Sequence, residues 1–122
     1  MNGNKKQIRY MIIKDGCIDV RYSNDFIKKM KDEFHYFFDT TDNLFKRYPN
    51  IRVFVKEESL WTDEPSIFYC RDNEQDMTFN GTVFFAKLGT YCVRSLSKKE
   101  VSFLLKNLKK RDDGMFHINE SF

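Results

Sequence analysis

The sequence predicts an α+β protein: a mostly antiparallel sheet of about five to seven strands, with one long helix in the N-terminal half and one C-terminal helix packed on it. Three observations carry that expectation. Short segments rich in β-branched and aromatic residues recur along the chain, separated by turn signals such as Asp15-Gly16 and Asn80-Gly81. Two other segments carry apolar residues at helical spacing instead of alternation. The strand–helix–strand repeat of a parallel sheet does not recur, so hairpins dominate and both helices are expected on one face of the sheet.

Residues 7–14 (QIRYMIIK) read as the first strand and residues 17–22 (CIDVRY) as the second, with Ile18, Val20 and Tyr22 on one face. Ser23 or Asn24 caps the first helix, and Asp25 lies in its first turn. Phe26, Ile27, Met30, Phe34, Phe37 and Phe38 form its apolar stripe, opposite Lys28, Lys29, Lys31, Asp32 and Glu33. Leu44 and Phe45 extend the stripe. The helix is therefore expected to reach Arg47, with a break near Thr40-Thr41, before Tyr48-Pro49-Asn50 stops it.

Residues 51–56 (IRVFVK) alternate as a half-buried strand, and residues 66–70 (SIFYC) form another. Met77 to Phe79, Asn80-Gly81 and Thr82 to Ala86 give the strongest hairpin signal in the chain, because Asn-Gly suits the positive-φ pair of a type I′ turn. Leu88-Gly89-Thr90 turns the chain again, and Tyr91 to Arg94 returns. The last helix opens on a capping box, Ser97 with Glu100, flanked by Leu96 and Val101 as a hydrophobic staple. Val101, Leu104, Leu105 and Leu108 supply its stripe, and Asp112-Asp113-Gly114 ends it. Residues 1–6 and 115–122 read as tails, the second with Phe116, Ile118 and Phe122 placed to dock.

The chain of 122 residues falls within the usual size of one domain and shows no linker, so residues 1–122 read as a single domain. With 41% hydrophobic and 32% charged residues, the composition is that of a globular protein instead of a disordered or membrane one. No apolar run approaches the length of a membrane helix. Thirteen Phe, six Tyr and one Trp are an unusual load, which either builds the core or lines a dimer or partner surface. Cys17, Cys70 and Cys92 are odd in number and widely spaced, with no export signal before them, so they are expected to be free, buried thiols in a reducing cytoplasm.

Charge is segregated along the chain. Residues 1–31 carry eight basic and three acidic side chains, and residues 32–78 carry five and eleven. Residues 79–111 then carry eight basic and one acidic, and residues 112–122 only three acidic. Within the acidic block, Glu57, Glu58, Asp63, Glu64, Asp72, Glu74 and Asp76 fall in predicted loops around Trp61. That Trp either anchors a partner or folds back onto the core. Within the basic block, Lys98, Lys99, Lys106, Lys109, Lys110 and Arg111 lie on or beside the last helix. They either contact phosphate or form a solvated face. Lys98 and Lys99 sit at the helix N-terminus, where the dipole does not favour cations.

Motifs for chemistry are weak. His35 lies beside the Phe stripe and reads as a structural imidazole, and His117 has no partner at metal-ligand spacing. The five glycines are isolated turn residues, without a phosphate loop. No catalytic residue, metal or cofactor is expected.

The stretch from Tyr69 to Leu105 carries Tyr69-Cys70-Arg71-Asp72-Asn73-Glu74, then Asn80-Gly81-Thr82-Val83-Phe84-Phe85, then Ser95-Leu96-Ser97-Lys98-Lys99-Glu100. It resembles a domain family of unknown function common in bacteriophages and mobile elements, in which a short strand meets an acidic loop, a Gly-Thr-aromatic strand and a Leu-Ser/Thr-x-x-Glu helix start. The resemblance implies a small accessory protein in the cytoplasm of a bacterial host and no catalytic residues. The function expected first is a non-enzymatic inhibitor of a host protein, with defence nucleases of the CRISPR type as the leading class. The acidic residues and Trp61 would form its contact surface, and an aromatic surface would give a possible homodimer. The second class is a nucleic-acid-binding protein that uses the basic residues, with Phe84, Phe85 or Tyr91 stacking on bases. A third is a protein that sequesters a small molecule.

Overall fold

The structure, a computed structural model, describes residues 7–35, 38–41, 45, 47–71, 77–89 and 92–120. It has the expected α+β character, arranged around two sheets. The first hairpin forms as its sequence predicts. β1 (Ile8–Lys14) and β2 (Cys17–Ser23) pair antiparallel, with Lys14 opposite Cys17. Asp15 and Gly16 between them have φ of 52° and 75°, the pair of positive values a type I′ turn requires.

The first helix, α1 (Phe26–Phe34), starts later and ends much earlier than the apolar stripe suggests. Its cap is Asp25, whose carboxylate accepts the Lys28 N–H, while the Ser23 hydroxyl accepts the N–H of Asp25 itself. His35 ends it in the left-handed region at φ 61° and is exposed, not lodged among the phenylalanines. The chain then runs extended as β3 (Phe38–Thr41), paired with β4 (Ile51–Lys56). Phe38 keeps an apolar contact, with Phe54 at 5.7 Å between ring centroids, but keeps it from a strand. Phe37 and Leu44 lie outside the described residues.

A one-turn helix α2 (Ser59–Thr62) precedes β5 (Pro65–Arg71), β6 (Met77–Asn80), β7 (Val83–Leu88) and β8 (Val93–Arg94). Then come α3 (Lys98–Asn107), β9 (Lys109–Lys110) and β10 (Phe116–Glu120). The larger sheet runs β2-β1-β7-β4-β3, with β8 also on β7, and the smaller runs β6-β5-β10-β9. Asn80-Gly81 is therefore not a hairpin turn. β6 pairs with β5 while β7 pairs with β1, β4 and β8, so the chain changes sheets there. Only Gly81, at φ 73°, is left-handed, whereas a type I′ turn needs both residues so. The segment read as a C-terminal tail is an inner strand of the smaller sheet. β10 runs parallel to β5 and antiparallel to β9, and buries Phe116 and Ile118.

The capping box of α3 forms in full. The Ser97 hydroxyl accepts the Glu100 N–H at 3.1 Å, and the Glu100 carboxylate accepts the Ser97 N–H at 2.7 Å. Leu96 and Val101 both join the core beneath it. The same Glu100 carboxylate is buried and meets Lys87 of β7 at 3.2 Å, tying the helix start to the sheet. That inward pull sets the helix rotation: Phe103 and Leu104 are buried and Leu105 is exposed, the reverse of the expected place for Leu105. The helix stops at Asn107, before Lys109 and Lys110, and Asp112 to Gly114 instead turn β9 toward β10.

Strand alternation places two cores on opposite faces of the larger sheet. On one face Tyr10, Ile12, Phe54, Phe84 and Ala86 meet Phe26, Met30 and Phe34 of α1. The rings interlock edge to face, Phe26 with Tyr10 at 5.0 Å and Phe34 with Phe84 at 5.4 Å. On the other face Met11, Ile13, Val53, Val83 and Phe85 meet Phe103 and Leu104 of α3, and Ile67, Phe79, Phe116 and Ile118 of the smaller sheet. The helices thus lie on opposite faces, because β1, β4 and β7 bear apolar side chains on both sides. The aromatic excess is largely core: Phe26, Phe34, Phe45, Phe54, Phe79, Phe84, Phe85, Phe103 and Phe116 are all buried.

Cys17 and Cys92 are exposed free thiols, not buried apolar groups, and the Cys70 side chain lies outside the described set. Two predictions test these assignments. Ser97→Ala should lower stability by about 1 kcal/mol, read as a lower melting temperature; an unchanged one means the box contributes nothing. In the folded protein without denaturant, Cys17 and Cys92 should both react promptly with a thiol reagent, and mass mapping of the labelled peptides would check it.

Candidate functional site

The clearest surface feature is built on α2. Strand β4 delivers Glu57 and Glu58 to a turn, and Glu58 accepts the N–H groups of Trp61 and Thr62 at 2.9 and 3.2 Å. The Thr62 hydroxyl adds a third bond to the same carbonyl at 3.1 Å. With 3.6 residues per turn, so short a helix can present only one residue inward, and that residue is Ser59, which is buried. Leu60 and Trp61 point out, 64% and 84% exposed. A polar residue inside and the apolar ones outside is the reverse of an ordinary amphipathic turn. Trp61 does not fold back onto the core.

The loop after α2 is held by the segment that changes sheets. Gly81 donates its N–H to the Glu64 carbonyl at 2.9 Å, and the Asn80 side-chain amide donates to the Asp63 carbonyl at 2.9 Å. The Ser66 hydroxyl donates to the Gly81 carbonyl at 2.6 Å. A Cβ at position 81 would lie 2.5 Å from an Asp63 carboxylate oxygen, which would have to shift, and the φ of 73° strains any residue other than glycine there.

Below this loop opens a cleft of about 510 Å³. Asp63 and Glu64 of the loop, Asp15 of the first turn, and Glu33 and Phe34 of α1 all line it. Lys56 also lines it, and Lys14 pairs with Glu33 at 2.7 Å. Of the predicted acidic set, the structure brings Glu57, Glu58, Trp61, Asp63 and Glu64 together on one loop. Asp72, Glu74 and Asp76 lie outside the described residues. Asp15 and Glu33 join from segments where sequence gave them only turn and helix-face roles. No local signal marks them, because the sheet order alone brings the first turn and the end of α1 to this place.

The predicted basic site is more dispersed. Lys98 and Lys99 stand in the first turn of α3 and Lys106 in its last, roughly 10–15 Å apart along the axis at 1.5 Å per residue. Lys109 and Lys110 belong to β9, where neighbouring side chains point to opposite faces. The Lys110 ammonium donates to the Gly16 carbonyl at 2.8 Å. Arg111 follows in the loop, close to a carboxylate. The Met115 N–H donates to Asp113 and holds its carboxyl below the usual aspartate range, aided by His117 at 3.2 Å and by Arg111. That anion dilutes the positive field where the basic residues are densest. Phe84 and Phe85, the proposed stacking platform, are 2% and 0% exposed and serve the two cores, so neither can receive a base. Tyr91 lies outside the described residues.

Among the described residues, no group of three or more His, Cys, Asp or Glu is placed to hold a metal ion, and no helix is long and apolar enough to cross a membrane. No family model, curated protein or solved structure matches the chain.

Trp61 is the only tryptophan, so its fluorescence reports this site directly. The folded protein should emit as a solvated indole and be quenched freely by acrylamide, with little spectral shift on unfolding. A blue-shifted, protected emission would place Trp61 inside.

Proposed function

We propose that the chain is a non-enzymatic binding protein that docks the α2 surface on another protein. Trp61 and Leu60 act as the anchor, with Glu57, Glu58, Asp63 and Glu64 as the charged rim. The supporting observation is the 84% exposure of Trp61 on a turn whose neighbours are carboxylates. An exposed Trp is the residue type most enriched among interface anchors, and a surrounding ring of charge directs approach and register more than it adds affinity. The partner is then a protein with a basic face. A nucleic-acid-processing enzyme fits that chemistry, because an acidic surface competes for the cations that would otherwise hold phosphate. In the cytoplasm of a bacterial host this would be inhibition of a defence nuclease, in the manner of an anti-CRISPR protein from a phage or mobile element. Nucleic-acid binding through the basic residues has less support, since Phe84 and Phe85, two of its three stacking candidates, are buried.

The test is capture from a nuclease-treated bacterial lysate, followed by direct titration of the captured protein. Trp61→Ala should weaken binding by about 30-fold, the effect of losing a 2 kcal/mol anchor. Reversing Glu57, Glu58, Asp63 and Glu64 to Lys should slow association most strongly at low salt. Reversing Lys106, Lys109 and Lys110 to Glu should change little. If the free protein instead binds single-stranded or duplex nucleic acid below micromolar at physiological salt, and the lysine reversals abolish it, the proposal fails.

A further inference from the structure

We propose that β2 is a self-complementary edge through which two copies of this chain pair, antiparallel, about a twofold axis at Val20. The reading is independent of the α2 surface. Among the described residues β2 pairs on one side only, with β1, and at seven residues it is the longest edge strand. The other edges among the described residues are short: β3 and β6 have four residues, and β8 and β9 two each. Short edges are a common protection against edge-to-edge pairing, and β2 lacks it.

The hydrogen-bonding parity of β2 follows from its turn. In a two-residue turn the flanking pair is bonded, so Lys14 and Cys17 exchange main-chain bonds, and bonded pairs alternate from there. Asp19, Arg21 and Ser23 then bond to β1, while Ile18, Val20 and Tyr22 direct their N–H and C=O groups outward. The far end of β1 agrees with this. Arg9, opposite Tyr22, sends its N–H to the Ser95 hydroxyl and accepts the Leu96 N–H, both away from β2.

A second β2 centred on Val20 meets all three outward residues in register. Val20 faces Val20 of the other copy, and Ile18 faces Tyr22 in both directions, giving about six main-chain hydrogen bonds. The intervening positions are non-bonded pairs, where side chains stand closest. There Asp19 faces Arg21 of the other copy, and Arg21 faces Asp19. Both are solvent-exposed in the single chain, where they pair with each other at 3.2 Å. On the other face Val20 is half-buried and Tyr22 is 54% exposed, so pairing covers apolar surface. Charge, apolar matching and main-chain parity thus agree on one register, and a slip by one residue would lose all three.

Sedimentation equilibrium with reductant present, to silence Cys17, tests this. The wild-type chain should reach twice its 14.7 kDa at high micromolar concentration. Arg21→Asp and Asp19→Arg each set like charges opposite one another twice, and each should raise the dissociation constant roughly tenfold or more. An equimolar mixture of the two single variants should dimerise again, as should the double variant Asp19→Arg with Arg21→Asp, because each restores opposite charges across the axis. A wild-type chain that stays monomeric overturns the proposal. So does a dimer indifferent to both single changes, or a mixture that stays monomeric while circular dichroism shows both variants folded. Should either single variant unfold, a folded but monomeric double variant overturns it equally.

Discussion

The left-handed backbone of Gly81, where the chain crosses between the two sheets, is the constraint on which the α2 loop depends. The chain leaves the smaller sheet at Asn80 and enters the larger one at Val83, and it makes that transfer in two residues. So short a passage turns at Gly81, with φ of 73°, a value that glycine adopts freely and other residues rarely do. The main-chain groups freed at the crossing are taken up by Glu64 and Ser66, and the Asn80 amide by Asp63. The crossing therefore fixes the loop that carries the acidic residues and sets the end of α2. These bonds hold the loop that follows the one-turn helix, on which Leu60 and Trp61 stand in water.

β7 is the other consequence of that crossing. Once in the larger sheet it is paired on both edges and covered on both faces, so Val83 to Ala86 are all buried. Parallel or doubly covered strands read as continuous apolar runs instead of alternating ones. The run VFFA has that signature, and so does MII in β1. The aromatic residues fill the two layers this creates. One layer packs rings against α1 and the other packs Phe45 and Tyr48 against Phe103 of α3. Among the described residues, the large apolar side chains left outside are Tyr22, Leu60, Trp61, Leu88 and Leu105, of which Trp61 and Leu60 are the most exposed.

What was legible in the sequence is what is decided locally. Asp15-Gly16 turns as its φ preferences require, Ser97 and Glu100 cap α3, and residues 51–56 form β4 within the expected bounds. What was not legible depends on partners distant in the chain. Asn80-Gly81 has the chemistry of a hairpin turn, but the two flanking strands each find a better partner in a different sheet. Phe38 continues a helical spacing, but pairing with β4 and the left-handed His35 override it. Phe116 and Ile118 form an apolar alternation in a segment with no neighbour in sequence, and β5 supplies that neighbour from some fifty residues away. Trp61 with Glu57 to Glu64 was legible as an exposed acidic loop because it is contiguous in the chain. Asp15 and Glu33 were not, since only the fold brings them to the cleft.

The charge blocks of the sequence do not survive as charged faces. Lys87, within the most basic block, is neutralised by Glu100, and Asp113 enters the cluster around Arg111 and His117. In the other direction, Asp15 comes from a basic block and adds to the carboxylates of the cleft. Folding thus sets opposite charges beside each other in both regions: Lys14 pairs with Glu33 at 2.7 Å and Lys56 lines the cleft, just as Glu100 meets Lys87. Linear charge counts weigh the two regions about equally, but a field acts through space. Asp15, Glu33, Asp63 and Glu64 line one cleft together with Lys56, while the lysines of α3 and β9 diverge along a helix and across a strand. The carboxylates of the α2 loop, with the solvent-facing indole of Trp61 beside them in the chain, are the physical reason to test the α2 side first for a partner.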